Sequence, residues 1–154
     1  MYNQVRFRRL DLDDLTRIME IERAAYQFPW SASMVRDSLQ AAHCQTWGMS
    51  VPHHSDLIGF GMLSIVLDEV ELLGISVLPG LQGKGYGAQL LQFLIEQARR
   101  AKADKIFLEV RQTNDPAVAL YQKAGFESVD IRQDYYPTNN RHERDDATVM
   151  LLSL

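Results

Sequence analysis

The feature that most limits how this chain folds is a glycine-rich turn, residues 82–87 (QGKGYG), between an apolar stretch and an amphipathic one. The stretch before it, residues 72–77 (LLGISV), is apolar enough to be a buried central strand. Residues 86–101 carry apolar side chains at helical spacing, and residues 105–110 have the pattern of another strand. A strand, a turn, a helix and a strand in this order predict a βαβ unit, in which the two strands are parallel.

The rest of the pattern predicts a mixed α/β sheet. Asp11 and Ser31 are typical N-caps, and each precedes an apolar stripe, so each is expected to begin a helix. A short helix at residues 115–123 is followed by Gly125, a common residue just after a helix end. The last two predicted strands pair antiparallel, and the polar residues 135–142 form the loop between them. We expect strands at residues 5–10, 45–51, 57–67, 70–77, 105–110, 126–133 and 147–152.

The composition, 46% hydrophobic and 23% charged, predicts one soluble domain over residues 1–154. Cys44 is the only cysteine and cannot form an internal disulfide, which favours a reducing compartment and therefore the cytoplasm. The N-terminal MYNQVRFRRL lacks the apolar segment of a signal peptide, and no apolar run reaches the roughly 18 residues of a membrane span. The net charge of −4 argues against a nucleic-acid-binding protein. His53 and His54 lie in a predicted hairpin loop, so we expect no metal site there.

The glycine-rich turn favours a phosphate-bearing ligand. Glycines let a ligand approach the backbone closely, and the N-terminus of the following helix offers free N–H groups to an anion. The turn is not a Walker A loop, because Leu78 stands where the first glycine is needed and Gly85 where Ser or Thr is needed. Its G-x-G-x-G spacing fits the dinucleotide fingerprint poorly, and the chain leaves no room for the rest of a dehydrogenase. The alternative is a turn that only changes the direction of the chain.

A third pattern matches: residues 77–87 (VLPGLQGKGYG) resemble the acetyl-CoA pyrophosphate signature of the GNAT N-acetyltransferases. The predicted order of elements is also that of the family, so the resemblance covers nearly the whole chain. It implies a GNAT fold with a mixed α/β sheet of about seven strands and four helices. Further segments resemble the branch that acetylates the N-terminal alanine of a ribosomal protein: FPWS (28–31), LDE (67–69), LEVR (108–111), Asn114, ALY (119–121), GF (125–126) and YYPT (135–138).

The resemblance implies that acetyl-CoA is the co-substrate and that no metal takes part. Main-chain groups of Ile75 and Val77 would hold the pantetheine arm and polarise the thioester, and N–H groups of residues 83–88 would hold the pyrophosphate. Lys84 adds charge there or is an exposed turn lysine; both interpretations are open. The expected cofactor-binding residues are Ile75, Ser76, Val77, Gln82, Gly83, Lys84, Gly85, Tyr86, Gly87, Ala88 and Asn114.

Glu109 is the candidate general base. Strand alternation places it on one face with Phe107 and Arg111, and a carboxylate in such a strand needs a partner or a chemical role. The resemblance implies that it takes the proton of the acceptor amine, directly or through water. The alternative is an ion pair with Arg111 or another basic residue, and Glu69 and Glu71 on the preceding strand are competing bases.

Tyr121 is the candidate general acid. It follows Asn114 by seven residues, nearly two helical turns, so both side chains are expected to point the same way. The resemblance implies that Tyr121 protonates the departing CoA thiolate and that Asn114 binds the pantetheine arm. The alternatives are a packed aromatic ring at position 121 and a helix cap at position 114, and Asn114 is able to do both.

The resemblance implies that the acceptor is the N-terminal α-amine of a basic ribosomal protein segment. An α-amine is roughly 10–15% neutral at pH 7 and a lysine about 0.04%, so one carboxylate serves an α-amine more easily. We expect Glu69, Glu71, Tyr135 and Tyr136 to bind this acceptor, with packing in the core as the open alternative for the two tyrosines. We also expect a cytoplasmic monomer without membrane contact. Two alternatives stay open: acetylation of protein lysine or of a small amine, and a CoA-sensing module without turnover.

Overall fold

A computed structural model describes residues 4–154 of the chain. We expect that the N-terminal ten residues are not part of a signal peptide. The first three of these residues lie outside the described residues. Within residues 4–154, none of the helices has the length and apolar character needed to pass through a membrane.

Seven strands and four α-helices make up the described part of the chain, as expected. The strands are β1 (Arg6–Arg9), β2 (Cys44–Ser50), β3 (Gly59–Val66), β4 (Glu69–Val77), β5 (Lys105–Arg111), β6 (Glu127–Pro137) and β7 (Arg144–Ser153). The helices are α1 (Leu15–Ala25), α2 (Ala32–Gln40), α3 (Tyr86–Arg100) and α4 (Asp115–Lys123), with 3-10 turns at Leu12–Asp14 and Pro79–Leu81. All seven strands join one sheet in the order β1-β2-β3-β4-β5-β7-β6.

The predicted caps begin the predicted helices. Ser31 accepts a hydrogen bond on Oγ from the Met34 N–H at 3.1 Å. The Asn114 Oδ1 accepts one from the Ala117 N–H at 3.3 Å, so Asn114 is the N-cap of α4. Asp11 caps a 3-10 turn in front of α1, which delays the α-helix by one turn relative to the prediction. These bonds satisfy helix N–H groups that otherwise have no partner.

Helices cover both faces of the central strands. On one face α3 contributes five buried side chains, Leu90, Leu91, Leu94, Ile95 and Ala98. On the other face Ile18 and Ile21 of α1 pack in a second buried cluster with Phe60 and Met62 of β3. Two-sided burial explains why β3 and β4 read as nearly continuous apolar runs.

The predicted βαβ unit is present, but its two strands stay together only briefly. β4 and β5 run parallel and pair at three positions, from Glu69 to Glu71, whereas β3 follows β4 to its end at Val77. Leu73 is an extra residue in β4, because Leu72 and Gly74 face consecutive residues of β3, and such a bulge bends a strand. Within residues 4–154, no strand pairs with the β5 side of β4 beyond Glu71. The sheet is therefore open between these two strands.

The prediction that residues 135–142 form a loop is wrong for the first three of them. β6 continues to Pro137 and pairs with β7 through Tyr136 opposite Asp145. The strand continues because its register shifts between Arg132 and Tyr136, where Asp134 has a φ of 51°. A bulge of this kind interrupts the alternation that marks a strand in a sequence.

Gly59→Ala is expected to destabilise the fold by about 1–3 kcal/mol, because a Cβ at this position would lie 2.7 Å from the carbonyl oxygen of Ser76 in β4. The oxygen belongs to the backbone of a buried strand and has little room to move. Gly80→Ala is the matched control, since a Cβ there meets no atom within 4 Å. Urea unfolding measures both variants, and equal stabilities would contradict the proposed crowding.

Candidate functional site

The opening between β4 and β5 contains two adjoining cavities. The larger, about 430 Å³, is lined by the end of β4, the glycine-rich turn and α4. The smaller, about 160 Å³, is lined by β4, β5, α4 and the segment after α1. Tyr26, Ile75, Asn114, Ala117 and Tyr121 line both cavities. The two cavities therefore meet where β4 has left β5.

The glycine-rich turn forms the wall of the larger cavity. Gly83 and Gly85 have φ angles of 78° and 86°, which side chains with a Cβ rarely adopt, and Gly85 is the N-cap of α3. A Cβ at either position would meet no atom within 4 Å, so both glycines face open space. Gln82 fixes the start of the turn, because its Nε2 donates to the Val77 carbonyl at 3.0 Å. Free N–H groups at the start of a helix bind anions such as phosphates.

Most of the predicted cofactor-binding residues lie at this larger cavity. Its lining includes nine of them: Ile75, Ser76, Val77, Gln82, Gly83, Gly85, Gly87, Ala88 and Asn114. Lys84 and Tyr86 belong to the same turn but are not part of the lining. Lys84 is exposed, which agrees with the alternative that it is a turn lysine.

Tyr121 lies at the junction of the two cavities, on the same side of α4 as Asn114. Its ring packs edge-on against Phe126, with 5.7 Å between the ring centroids, and the residue is 7% exposed. Burial, with the nearby phenols of Tyr26 and Tyr136, raises the pKa of Tyr121 well above its usual range. The hydroxyl is protonated at neutral pH, as an unperturbed phenol also is, so it has a proton to donate.

Glu109 lines the smaller cavity, on the less buried face of β5 that alternation predicts. Its Oε1 lies 3.3 Å from Nε of Arg132 on β6, and its side chain is 13% exposed. The ion pair that we considered with Arg111 or another basic residue is thus present, and its partner is Arg132. Arg132 is more than half exposed, so solvent weakens this pair and leaves the carboxylate accessible from the cavity.

Arg111 fixes the edge of the smaller cavity. Its NH1 donates to the Pro137 carbonyl at 2.8 Å and to Oδ2 of Asp145 at 2.9 Å, which ties β5 to both strands of the last hairpin. Its guanidinium carbon also lies 5.1 Å from the ring centroid of Phe28 and 4.7 Å from that of Tyr136. Cation–π contacts of this kind hold aromatic rings in place.

The four predicted acceptor-binding residues are spread out. Tyr136 lines the smaller cavity, and burial raises its pKa to about 12. Tyr135, next to it in β6, is 42% exposed, and hydrogen bonding to Glu109 raises its pKa. Burial and the charge of Glu109 raise the pKa of Glu71, which is not part of the cavity lining. Glu69, at the start of β4, is paired with Lys105 at 3.2 Å.

Sequence reasoning gave no site role to the side chains that line the smaller cavity from the N-terminal part of the chain, although two of them stand in the FPWS segment: Glu22, Tyr26, Phe28 and Trp30. They come from the end of α1 and the segment that follows it. One signal for Glu22 is present in the sequence, because it follows Ile18 by four residues and so puts a carboxylate on the apolar stripe of α1.

The two cavities together have the groups that a group-transfer reaction needs. The larger presents N–H groups to an anionic ligand, and the smaller presents a carboxylate, Glu109, to a second ligand. Tyr121 holds a proton at their junction. Within residues 4–154, no group of three or more His, Cys, Asp or Glu side chains is placed to hold a metal ion.

The chain belongs to the acetyltransferase (GNAT) family, whose model matches residues 15–126. This range runs from the start of α1 to Phe126, which lies between α4 and β6, and so includes the opening between β4 and β5. The match confirms the family resemblance and the fold class that the sequence predicts.

The relatives of the chain include the [ribosomal protein bS18]-alanine N-acetyltransferase of Haemophilus influenzae, 37% identical over 137 residues, which are 89% of this chain and 90% of that protein. The crystal structure of the ribosomal-protein-S18-alanine N-acetyltransferase from Escherichia coli has a TM-score of 0.89 at 33% identity, over 97% of this chain and 94% of that one. The acetyl-CoA complex of Arabidopsis thaliana NAA60 has the same fold, with a TM-score of 0.87 at 19% identity over 98% and 99% of the two chains.

Tyr121→Phe is expected to make the protein lose stability less steeply at alkaline pH. In the folded protein the raised pKa of Tyr121 keeps the phenol neutral, whereas in the unfolded chain it ionises near pH 10. The free energy of unfolding of the wild type therefore falls above pH 10, by up to about 1.4 kcal/mol per pH unit for this one group.

Urea unfolding of both proteins between about pH 9 and pH 11 measures the difference in slope. The other tyrosines are present in both proteins and cancel in this difference. If the free energy of unfolding fell with pH equally steeply in both proteins, Tyr121 would ionise in the folded protein as it does in the unfolded chain.

Proposed function

We propose that this protein transfers an acetyl group from acetyl-CoA to the N-terminal α-amine of a ribosomal protein, with alanine as the first residue. The observation that carries the proposal is the meeting of the two cavities at Ile75 and Tyr121, with Glu109 in the wall of the smaller one. The names of the Haemophilus influenzae and Escherichia coli relatives, both ribosomal-protein alanine N-acetyltransferases, support the choice of acceptor.

The larger cavity suits acetyl-CoA. Its glycine-rich turn offers N–H groups to the pyrophosphate, and the unpaired side of β4 at Ile75 and Val77 offers main-chain groups to the pantetheine arm. Asn114 lines the same cavity while it caps α4, so one residue serves both purposes. A protein of the same fold, NAA60, was crystallised with acetyl-CoA, which supports this assignment.

In the proposed mechanism one titratable side chain acts on the attacking amine and the other acts on the departing thiolate. The carboxylate of Glu109 accepts a proton from the acceptor amine, whose nitrogen lone pair forms the new bond to the acetyl carbon. Tyr121 donates its hydroxyl proton to the sulfur as the carbon–sulfur bond breaks. N–H groups of β4 stabilise the negative charge on the carbonyl oxygen, because they are fixed in place before the reaction.

The smaller cavity favours a small N-terminal residue over a long side chain. At about 160 Å³, with Phe28, Trp30 and Tyr136 in its wall, it suits alanine. A third, polar opening of about 360 Å³ adjoins it and is lined by Thr113, Asn139 and others. This opening suits the main chain of the following peptide residues, which a small free amine does not have.

We also propose that residues 1–154 form one domain and that the protein works in the cytoplasm as a monomer that contacts neither nucleic acid nor membrane. One sheet that includes every described strand supports the single domain. The net charge of −4 favours an acceptor segment of basic character over a nucleic acid. The unpaired Cys44 fits a reducing compartment.

Mass spectrometry of peptides incubated with acetyl-CoA tests the acceptor. One peptide has a free N-terminal alanine, a second has a blocked N-terminus and an internal lysine, and a third has both amines. We expect acetylation at the N-terminus only, because the neutral fraction of an α-amine at pH 7 exceeds that of lysine by about 300-fold. Modification of lysine alone would support the lysine alternative, and binding of CoA without any product would support a sensing module.

Substitutions in the proposed acid and base are expected to lower kcat. Glu109→Gln and Tyr121→Phe each remove one proton transfer, which is worth about 100-fold or more in rate. Glu71→Gln is the matched control, since Glu71 lies outside the cavity lining, and its kcat is expected to stay within about threefold. Steady-state kinetics measures the three rates, and calorimetry checks that CoA still binds. A larger loss of kcat in Glu71→Gln than in Glu109→Gln would indicate that Glu71 of β4, and not Glu109, is the base.

A further inference from the structure

A buried carboxylate of α1, that of Glu22, has no part in the proton transfers described above. The residue is 5% exposed and lines the smaller cavity with Tyr121 and Glu109. Burial raises the pKa of Glu22, while two hydrogen bonds oppose that shift. Within residues 4–154, no Lys or Arg makes an ion pair with it. Burying a carboxyl group costs free energy unless its oxygens are hydrogen-bonded, so the two bonds offset part of that cost.

The two oxygens of Glu22 bind two different parts of the fold. Its Oε2 accepts a hydrogen bond from the Trp30 N–H at 3.0 Å, and its Oε1 accepts one from Oγ of Ser76 at 2.9 Å. Trp30 belongs to the segment between α1 and α2, which lines the smaller cavity, and Ser76 belongs to β4 and lines the larger cavity. One side chain thus connects the wall of one cavity to the wall of the other.

A second side chain, directly after the end of α1, binds the neighbouring residue of β4. Tyr26, one helical turn after Glu22, donates its hydroxyl to the Ile75 carbonyl at 2.5 Å. Ile75 and Ser76 lie in the part of β4 that has left β5, where no strand holds their outer side. The hydrogen bond from Tyr26 therefore takes the place of strand pairing at the Ile75 carbonyl, and the bond from Glu22 adds a contact to the side chain of Ser76.

We propose that Glu22 is a positioning residue of the acetyl transfer: it holds the acceptor-side segment at Trp30 against β4 at Ser76. The inference rests on the proposed function, because it assigns the two cavities to acceptor and acetyl-CoA. The segment carries Phe28 and Trp30 into the acceptor cavity, and β4 holds the thioester. Their relative position sets the distance between the amine and the acetyl carbon. A displacement of about 1 Å between reacting groups is enough to lower a rate by about 100-fold.

Two substitutions separate hydrogen bonding from charge. In Glu22→Gln the amide oxygen accepts from the Trp30 N–H and the amide nitrogen donates to the Ser76 hydroxyl, which both donates and accepts. We expect kcat/KM for the alanine peptide within about threefold of wild type. Glu22→Leu fills a similar volume without either bond, and we expect its kcat/KM to fall about 30-fold or more, mostly in kcat.

A matched control and a second readout keep a positioning role distinct from a purely structural one. Glu20→Leu changes a carboxylate on the exposed side of the same helix, 58% exposed, and is expected to keep kcat/KM within about twofold.

The fluorescence of Trp30 measures the exposure of the segment directly when Trp47, the only other tryptophan, is replaced by Phe. In that background we expect Glu22→Leu to raise the acrylamide quenching of Trp30 about twofold or more, and Glu22→Gln to leave it unchanged. The affinity for CoA, measured by calorimetry, is expected to stay within about threefold in all variants.

Three results would contradict the positioning role of Glu22. Wild-type kcat/KM and quenching in a folded, CoA-binding Glu22→Leu protein would overturn it. Equal losses in Glu22→Gln and Glu22→Leu, with a changed acid limb of the pH–rate profile, would overturn it in favour of a role for the charge. If Glu22→Leu fails to fold, Ser76→Ala removes one of the two bonds, and unchanged kcat and quenching there would overturn it. The quenching experiment needs no acceptor turnover, so it tests the inference even if the proposed acceptor is wrong.

Discussion

The early separation of β4 from β5 is the constraint on which the rest of the site depends. A parallel pair normally satisfies the edge groups of both strands, and here the pairing ends at Glu71. The groups beyond that point must find other partners, and the residue after α1 supplies one of them through the hydroxyl of Tyr26. The opening is stable because β3 holds β4 along its other side and α3 buries five apolar side chains beneath it. A rigid strand with one free edge is therefore available to a ligand.

Local patterns in the sequence predicted the face on which a residue lies. Alternation placed Glu109 opposite Leu108 and Val110, and helical spacing placed Asn114 and Tyr121 together, because the periods of strand and helix are fixed by backbone geometry. The glycine spacing predicted the turn before α3 for a similar reason. Each of these patterns belongs to a single strand, helix or turn, and the sequence was most informative about features within one such element.

Pairings between distant elements were harder to predict. The partner of Glu109 is Arg132 rather than Arg111, because register shifts in β6 decide which of its side chains reaches β5. Because of the same register shifts, the sequence pattern did not predict that β6 continues through Tyr136. Glu22 was missed because its hydrogen bonds join α1 to Ser76, 54 residues later in the chain, and no local period records such a contact.

The position of β6 at the edge of the sheet has a consequence for how the enzyme changes over evolutionary time. Every residue of β6 except Tyr136 is exposed, so most substitutions along it disturb little packing and cost little folding free energy. The same strand places Arg132, Tyr135 and Tyr136 beside Glu109. The larger cavity, by contrast, rests on the buried core under β4 and α3. With the proposed assignment of the two cavities, acceptor preference is able to drift by single substitutions, while the proposed acetyl-donor cavity stays fixed.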